Sequence, residues 1–153
     1  MDLRDYFGRP SALLAVLSSV DLIYVRGGSA FVLRRAYLHS GADDIIRELL
    51  ARDAVAYAGY SAGPAMLGST LEGIEGDIDD PCLTPPGYPS GPVPYAGLGV
   101  LPYAIVPHYR SDHPESPGME QAVKYLIDNH VPFVALRDGQ ALVVDGADTT
   151  VVE

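Results

Sequence analysis

Apolar positions along this chain recur with two alternating periods. Between Ser11 and Ser18, Leu13, Leu14, Val16 and Leu17 fall at helical spacing and predict a helix. The run Val20-Asp21-Leu22-Ile23-Tyr24-Val25 is rich in β-branched residues and apolar on both faces, so it reads as a buried strand interior to a sheet, stopped by Gly27-Gly28. Phe31 to Ser40 and Asp43 to Arg52 predict two helices divided by Gly41, the second opening with acidic residues that suit a helix N-terminus. A second strand is expected at Ala54 to Tyr57, a third at Tyr103 to Val106, a helix near Pro117 to Asn129 and a fourth strand at Phe133 to Leu136. The chain closes on a predicted hairpin, Ala141 to Val144 and Thr150 to Val152, turning through Asp145-Gly146.

Strand and helix in alternation, with apolar strands, predict an α/β fold whose mostly parallel sheet is covered on both faces as a three-layer sandwich. Chemistry in such folds gathers at the carboxyl ends of the strands. One stretch breaks the alternation. Glu72 to Gly99 is rich in proline and glycine and too long for a simple connector. Because the same alternation resumes beyond it, the stretch reads as an active-site loop within one domain. No internal repeat is present.

Composition narrows the picture without redirecting it. With 153 residues, 48% hydrophobic and 20% charged, the chain has the make-up of a soluble globular domain. A lone cysteine, Cys82, excludes a disulfide framework and a cysteine-rich zinc site within one chain, and fits a reducing compartment. No apolar run approaches a membrane span, and the N-terminus lacks a signal pattern, so a cytoplasmic protein is expected. A net charge of -10 disfavours nucleic acid and anionic lipid as partners.

Gly59-Tyr60-Ser61-Ala62-Gly63 follows a predicted strand and precedes a short helix-like segment, the context in which G-x-S-x-G forms a nucleophile elbow. Glycines flank the serine because a strained turn there leaves no room for side chains. Such a turn exposes the hydroxyl and aims the following amides at a developing oxyanion. Pro107-His108-Tyr109 comes directly after a strand, so His108 emerges at the same sheet edge as Ser61 and is the best placed of the four histidines to act as base. His113 neighbours that edge and reads first as a solvated loop histidine, with substrate contact the alternative, whereas His39 and His130 fall near helix C-termini and read as structural. Between serine and histidine lie Glu72, Glu75, Asp77, Asp79 and Asp80, any one of which would complete a triad in the order serine, acid, histidine. The paired glycines of Val25-Arg26-Gly27-Gly28-Ser29 permit close backbone approach, making the Gly28 amide a candidate second oxyanion donor. A phosphate cradle is the weaker reading of that turn, since the P-loop lysine and the dinucleotide spacing are both missing. No metal or cofactor is expected.

Taken in order, Ile23 through Ser29, Tyr60-Ser61-Ala62-Gly63, Gly97-Leu98-Gly99-Val100-Leu101 through Pro107-His108-Tyr109, Ala135 through Gly139 and the final hairpin resemble peptidase E, the aspartyl dipeptidase family. That family's flavodoxin-like fold is related to class I glutamine amidotransferases. The resemblance implies a serine-type peptidase acting on short peptides, with Ser61 as nucleophile, His108 as base and oxyanion donors at Ala62 and Gly28. Aligning Asp80-Pro81 with the family's Asp-Pro implies Glu75 as the triad acid, with Asp79 and Asp80 as alternatives. Acidic P1 recognition, typical of the family, implies an arginine, for which Arg110 and Arg26 are candidates.

Two departures stand out. Ser29 replaces the family's usual asparagine after the glycines, and the family carries roughly one or two strand-helix units ahead of the first strand seen here. A single catalytic domain lacking those units is therefore expected, with homo-oligomerisation covering what they leave exposed. A non-catalytic binding or assembly module is the alternative reading. An esterase of the α/β-hydrolase class shares the elbow but usually needs a longer chain.

Overall fold

The computed structural model describes residues 1–92 and 94–153, so Val93, inside the irregular stretch, lies outside the described residues. After a 3₁₀ turn at Leu3–Tyr6, the elements run α1 (Pro10–Leu17), β1 (Leu22–Val25), α2 (Ala30–Ser40), α3 (Ala42–Ala51), β2 (Ala56–Gly59) and α4 (Ala62–Ala65). They continue with β3 (Ala104–Val106), α5 (Ser116–Asp128), β4 (Phe133–Ala135), β5 (Ala141–Asp145) and β6 (Asp148–Val152). Pro10 starts α1, where its missing N–H costs nothing. Gly41, at φ 78°, ends α2 and begins α3, and a β-carbon there would meet Pro10 Cβ at 2.9 Å.

The strands pair as β1 with β2 and β3 with β4, both parallel, while β5 and β6 form an antiparallel hairpin. In register, Val25 stands beside Gly59 and Val106 beside Ala135, so each parallel pair ends flush. Backbone bonds stitch Met66 to Leu71 against Tyr95 to Tyr103, among them Leu98 N to Met66 O and Ser69 N to Tyr103 O. This seam brings β3 under α4. One core, including Leu13, Phe31, Met66, Leu71, Val106 and Leu126, runs through both halves. A smaller cluster of Leu101, Ile105 and Leu136 holds the hairpin through Leu142.

The expected interior character of the first strand needs correcting. Ile23 is buried, but Leu22 and Tyr24 on the opposite face are 51% and 59% exposed. A strand's own apolar residues do not decide whether another element covers each face. No helix among the described residues is long and apolar enough to cross a membrane.

The irregular stretch is held down by α2. Buried Arg34 grips Asp43 through two 2.8 Å bonds and donates Nε–H to the Ala96 carbonyl at 2.5 Å. Buried Arg35 donates to the carbonyls of Pro81 and Gly91 at 3.1 and 3.3 Å. At the helix N-terminus the Asp79 carboxylate accepts from the amides of Ala30 and Phe31, where the helix dipole favours negative charge.

Two tyrosines brace α4 from below. The Tyr57 hydroxyl donates to the Gly63 carbonyl at 2.7 Å and lies 3.1 Å from the Tyr37 hydroxyl. Burial pushes both phenols up, Tyr37 to about 12. An unfolded tyrosine ionises near pH 10, so above that pH the unfolded chain sheds protons the folded one keeps. Stability is therefore expected to hold up to about pH 9 and to fall as pH rises beyond 10. Urea titrations across that window check this, and Tyr57→Phe should reduce the alkaline loss while costing about 1–2 kcal/mol at neutral pH through the lost Gly63 bond.

Candidate active site

The parallel register of β1 and β2 delivers two turns to one place. β1 runs into Arg26-Gly27-Gly28-Ser29 and β2 into Tyr60-Ser61, and the Tyr60 amide donates to the Val25 carbonyl at 3.2 Å. That carbonyl is wedged between glycines. A β-carbon on Gly59 would lie 2.5 Å from it, and one on Gly63 only 2.4 Å. Gly27 meets the serine directly, since a β-carbon there would stand 2.8 Å from Ser61 Cβ. Ser61 itself has φ 57° and ψ -118°, a conformation that costs a non-glycine residue about 1–3 kcal/mol. The glycines of G-x-S-x-G are thus explained by contacts: only bare backbone lets the elbow close over the end of β1. Among the described residues no hydrogen bond engages the Ser61 hydroxyl.

Ser61 and Ala62 line a cleft of about 320 Å³ with Gly28, Ser29, Asp79 and Pro107. Ser29 caps α2, its hydroxyl accepting from the Val32 amide at 3.1 Å. Ile74, Ile78 and Met119 supply an apolar wall. A neighbouring cleft of about 380 Å³ shares Gly28 and Ser29 and contains Arg26.

His108 follows Pro107, just past the wholly buried β3. Its Nδ1 lies 2.6 Å from an Asp138 carboxylate oxygen, and its ring stacks on His113 at 3.7 Å with 7° between planes. A carboxylate can only accept, so in the neutral imidazole Nδ1 carries the proton and Nε2 keeps a free lone pair. Two elements create the pairing. The β3–β4 ladder continues past both strand ends, with Leu136 N donating to Val106 O and Tyr109 N to Leu136 O, each at 2.9 Å. Ser111 Oγ then accepts from the Asp138 amide at 2.8 Å and fixes that turn. The His108 side chain is 12% exposed, Asp138 46%.

The carboxylates expected from the sequence stand elsewhere. Glu75 accepts from the Gly73 amide at 2.7 Å, Asp79 caps α2, and Asp80 accepts from the Cys82 amide at 2.9 Å. Of these, Asp79 alone lines the serine cleft. Asp138, which the sequence reading did not single out, is the carboxylate on the histidine. Arg110 lies over the Tyr109 ring, its Nε 3.7 Å from a Glu120 oxygen and its side chain 59% exposed. Arg26 is exposed at the mouth of the neighbouring cleft.

The chain is 31% identical over 138 residues to Peptidase E of Streptomyces coelicolor, covering 87% of this chain and 52% of that protein. It is 29% identical over 135 residues to a Drosophila melanogaster protein named "Probable alpha-aspartyl dipeptidase", covering 85% and 52%. This chain thus spans about half the length of the curated relatives it matches. A crystal structure of a candidate peptidase E protein from Listeria monocytogenes EGD-e superposes with a TM-score of 0.77 at 22% identity, over 93% of this chain and 64% of that one, which shows the α/β, flavodoxin-like fold. The family model of Peptidase family S51 matches residues 5–152, nearly the whole sequence, and on that match the chain belongs to peptidase family S51.

Proposed function

We propose that this chain carries the catalytic residues of a serine peptidase that cleaves short peptides through an acyl-enzyme. The observation that carries the reading is the Ser61 backbone, held at φ 57° and ψ -118° with its hydroxyl at a cleft. Ser61 Oγ attacks the substrate carbonyl carbon and passes its proton to His108 Nε2. The amides of Ala62 and Gly28 donate to the oxyanion that forms. Collapse breaks the C–N bond, His108 returns the proton to the leaving amine, and water releases the acyl group by the same route in reverse. Serine and histidine share no hydrogen bond in the free protein, and substrate binding draws them together, as catalytic bonds commonly tighten only in the complex.

Asp138 is the better candidate than Glu75, Asp79 or Asp80 for orienting the imidazole, because it already holds Nδ1 at 2.6 Å. The names of the relatives, peptidase E and alpha-aspartyl dipeptidase, favour dipeptides with an N-terminal aspartate. Arg110 and Arg26 are the cations available to such a carboxylate. The outward face of β1 at Leu22 and Tyr24 is the surface through which we infer self-association; light scattering on the wild type and on Tyr24→Asp tests it, and monomers of both would refute it.

The absent bond between Ser61 and His108 also favours a second reading, a ligand-binding module without turnover. A fluorophosphonate probe separates the two. Covalent labelling mapped to Ser61 by mass spectrometry, with turnover of dipeptides and not of simple esters, is the expected result. An unlabelled, folded chain would sink the peptidase reading.

A further inference from the structure

His108 has a second set of neighbours that peptide hydrolysis does not use. Its ring, the His113 ring and the Glu115 carboxylate are each partly buried, and one ligand atom from each lies within 4.8 Å of the others. We propose that these three side chains form a binding site for a zinc-class divalent cation, and that the bound ion silences Ser61. This second clause rests on the reading of His108 as the base.

Two imidazoles and one carboxylate are a donor set suited to Zn²⁺, which takes three protein ligands at about 2.0–2.2 Å and leaves a fourth position for water. Ligand atoms around such an ion stand roughly 3.3 Å apart, so groups that lie within 4.8 Å of one another close in by up to about 1.5 Å. His108 is also prepared beyond its own ring. Metal-bound histidines generally donate their other N–H to a carboxylate or carbonyl, and Asp138 occupies that place on Nδ1. Nε2 is left as the only lone pair on the ring.

Coordination has structural costs. A metal lies in the plane of each ring that binds it, so the parallel His108–His113 stack has to open and tilt around the ion. Ligation through His113 Nδ1 would also displace the Glu115 amide, which donates to that nitrogen at 3.2 Å. The Glu115–His113 bond lies within the segment Ser111 to Glu115, which carries no helix or strand, and the stack joins that segment to His108 just past β3, so the adjustment falls on the turns between β3 and α5. The chemical consequence follows from one electron pair: Nε2 can accept the serine proton or hold a metal, never both.

Calorimetric titration of untagged, metal-free protein with zinc chloride tests the site directly. One equivalent should bind, and His113→Ala and Glu115→Gln should each weaken binding by about tenfold or more, while His130→Asn leaves it unchanged. Circular dichroism confirms that each variant is folded, and Glu115→Gln keeps the side chain's shape if His113→Ala does not fold. Wild-type affinity in both variants would overturn the site. Fluorophosphonate labelling with and without zinc tests the coupling. Zinc should suppress labelling of the wild type by about tenfold and of the two variants by no more than about twofold, in proportion to site occupancy. Stoichiometric zinc with undiminished labelling would overturn the coupling. Failure of the zinc-free protein to label would instead remove the peptidase reading, and the calorimetry would still decide the metal site.

Discussion

Ser61→Ala is expected to lower peptide hydrolysis by about six orders of magnitude, as loss of a serine nucleophile does elsewhere, while leaving the melting temperature unchanged. The elbow's shape is set by the Val25 carbonyl packed against Gly59 and Gly63 and by Gly27 against the serine Cβ, and alanine preserves every one of those contacts. Ser61→Gly should be equally inactive but more stable. Glycine relieves about 1–3 kcal/mol of backbone strain at φ 57°, offset by roughly 0.5–1 kcal/mol of extra freedom in the unfolded chain, for a net gain of about 1 kcal/mol. Activity assays with urea unfolding of all three proteins check both halves. A Ser61→Ala protein that is folded and retains full activity would remove the nucleophile assignment, and a net loss of stability in Ser61→Gly would show that the elbow carries no strain.

Asp138→Asn is expected to reduce kcat by about 10²–10⁴ with little change in KM, whereas Glu75→Gln, Asp79→Asn and Asp80→Asn stay within severalfold of wild type. Asparagine offers a neutral amide where His108 now donates to a charge, so the ring loses both its fixed tautomer and the partner that stabilises imidazolium. The lower bound reflects the 46% exposure of Asp138, since water can replace part of what the carboxylate provides. Asp79→Asn should act on stability instead, because it weakens the charge at the N-terminus of α2. If Glu75→Gln proves the damaging change and Asp138→Asn is mild, the irregular stretch must rearrange on substrate binding to bring Glu75 to the imidazole.

These contrasts show which parts of the molecule were legible in the sequence. The turn at Ser61 announces itself because all its determinants lie within five residues: two glycines, the serine, and the strand and helix that flank them. Gly41 and the Asp145-Gly146 turn were readable for the same reason, although the hairpin strands extend to Asp145 and from Asp148. Leu22 and Tyr24 misled, because an apolar residue in a strand reports a preference for burial and not whether a neighbour supplies it. The Asp138 pairing spans 30 residues and has no local mark. A signal was nevertheless present. Once Phe133–Ala135 is taken as the parallel neighbour of Ala104–Val106, residues just beyond the two strand ends have to meet, and His108 and Asp138 are the titratable pair there. The anchors of the irregular stretch were invisible for a related reason: helical periodicity places Arg34 and Arg35 on α2 but does not name the carbonyls they reach.

Those two arginines bear on how the irregular stretch can change in this fold. They hold the stretch at Pro81, Gly91 and Ala96 through main-chain oxygens, and every amino acid supplies such an oxygen. Side chains along the loop are therefore free to drift, with proline, glycine and alanine at the tethered positions showing how little is demanded of them. Loop residues can be exchanged over a fixed pair of guanidinium posts, whereas losing either post would loosen every loop variant alike.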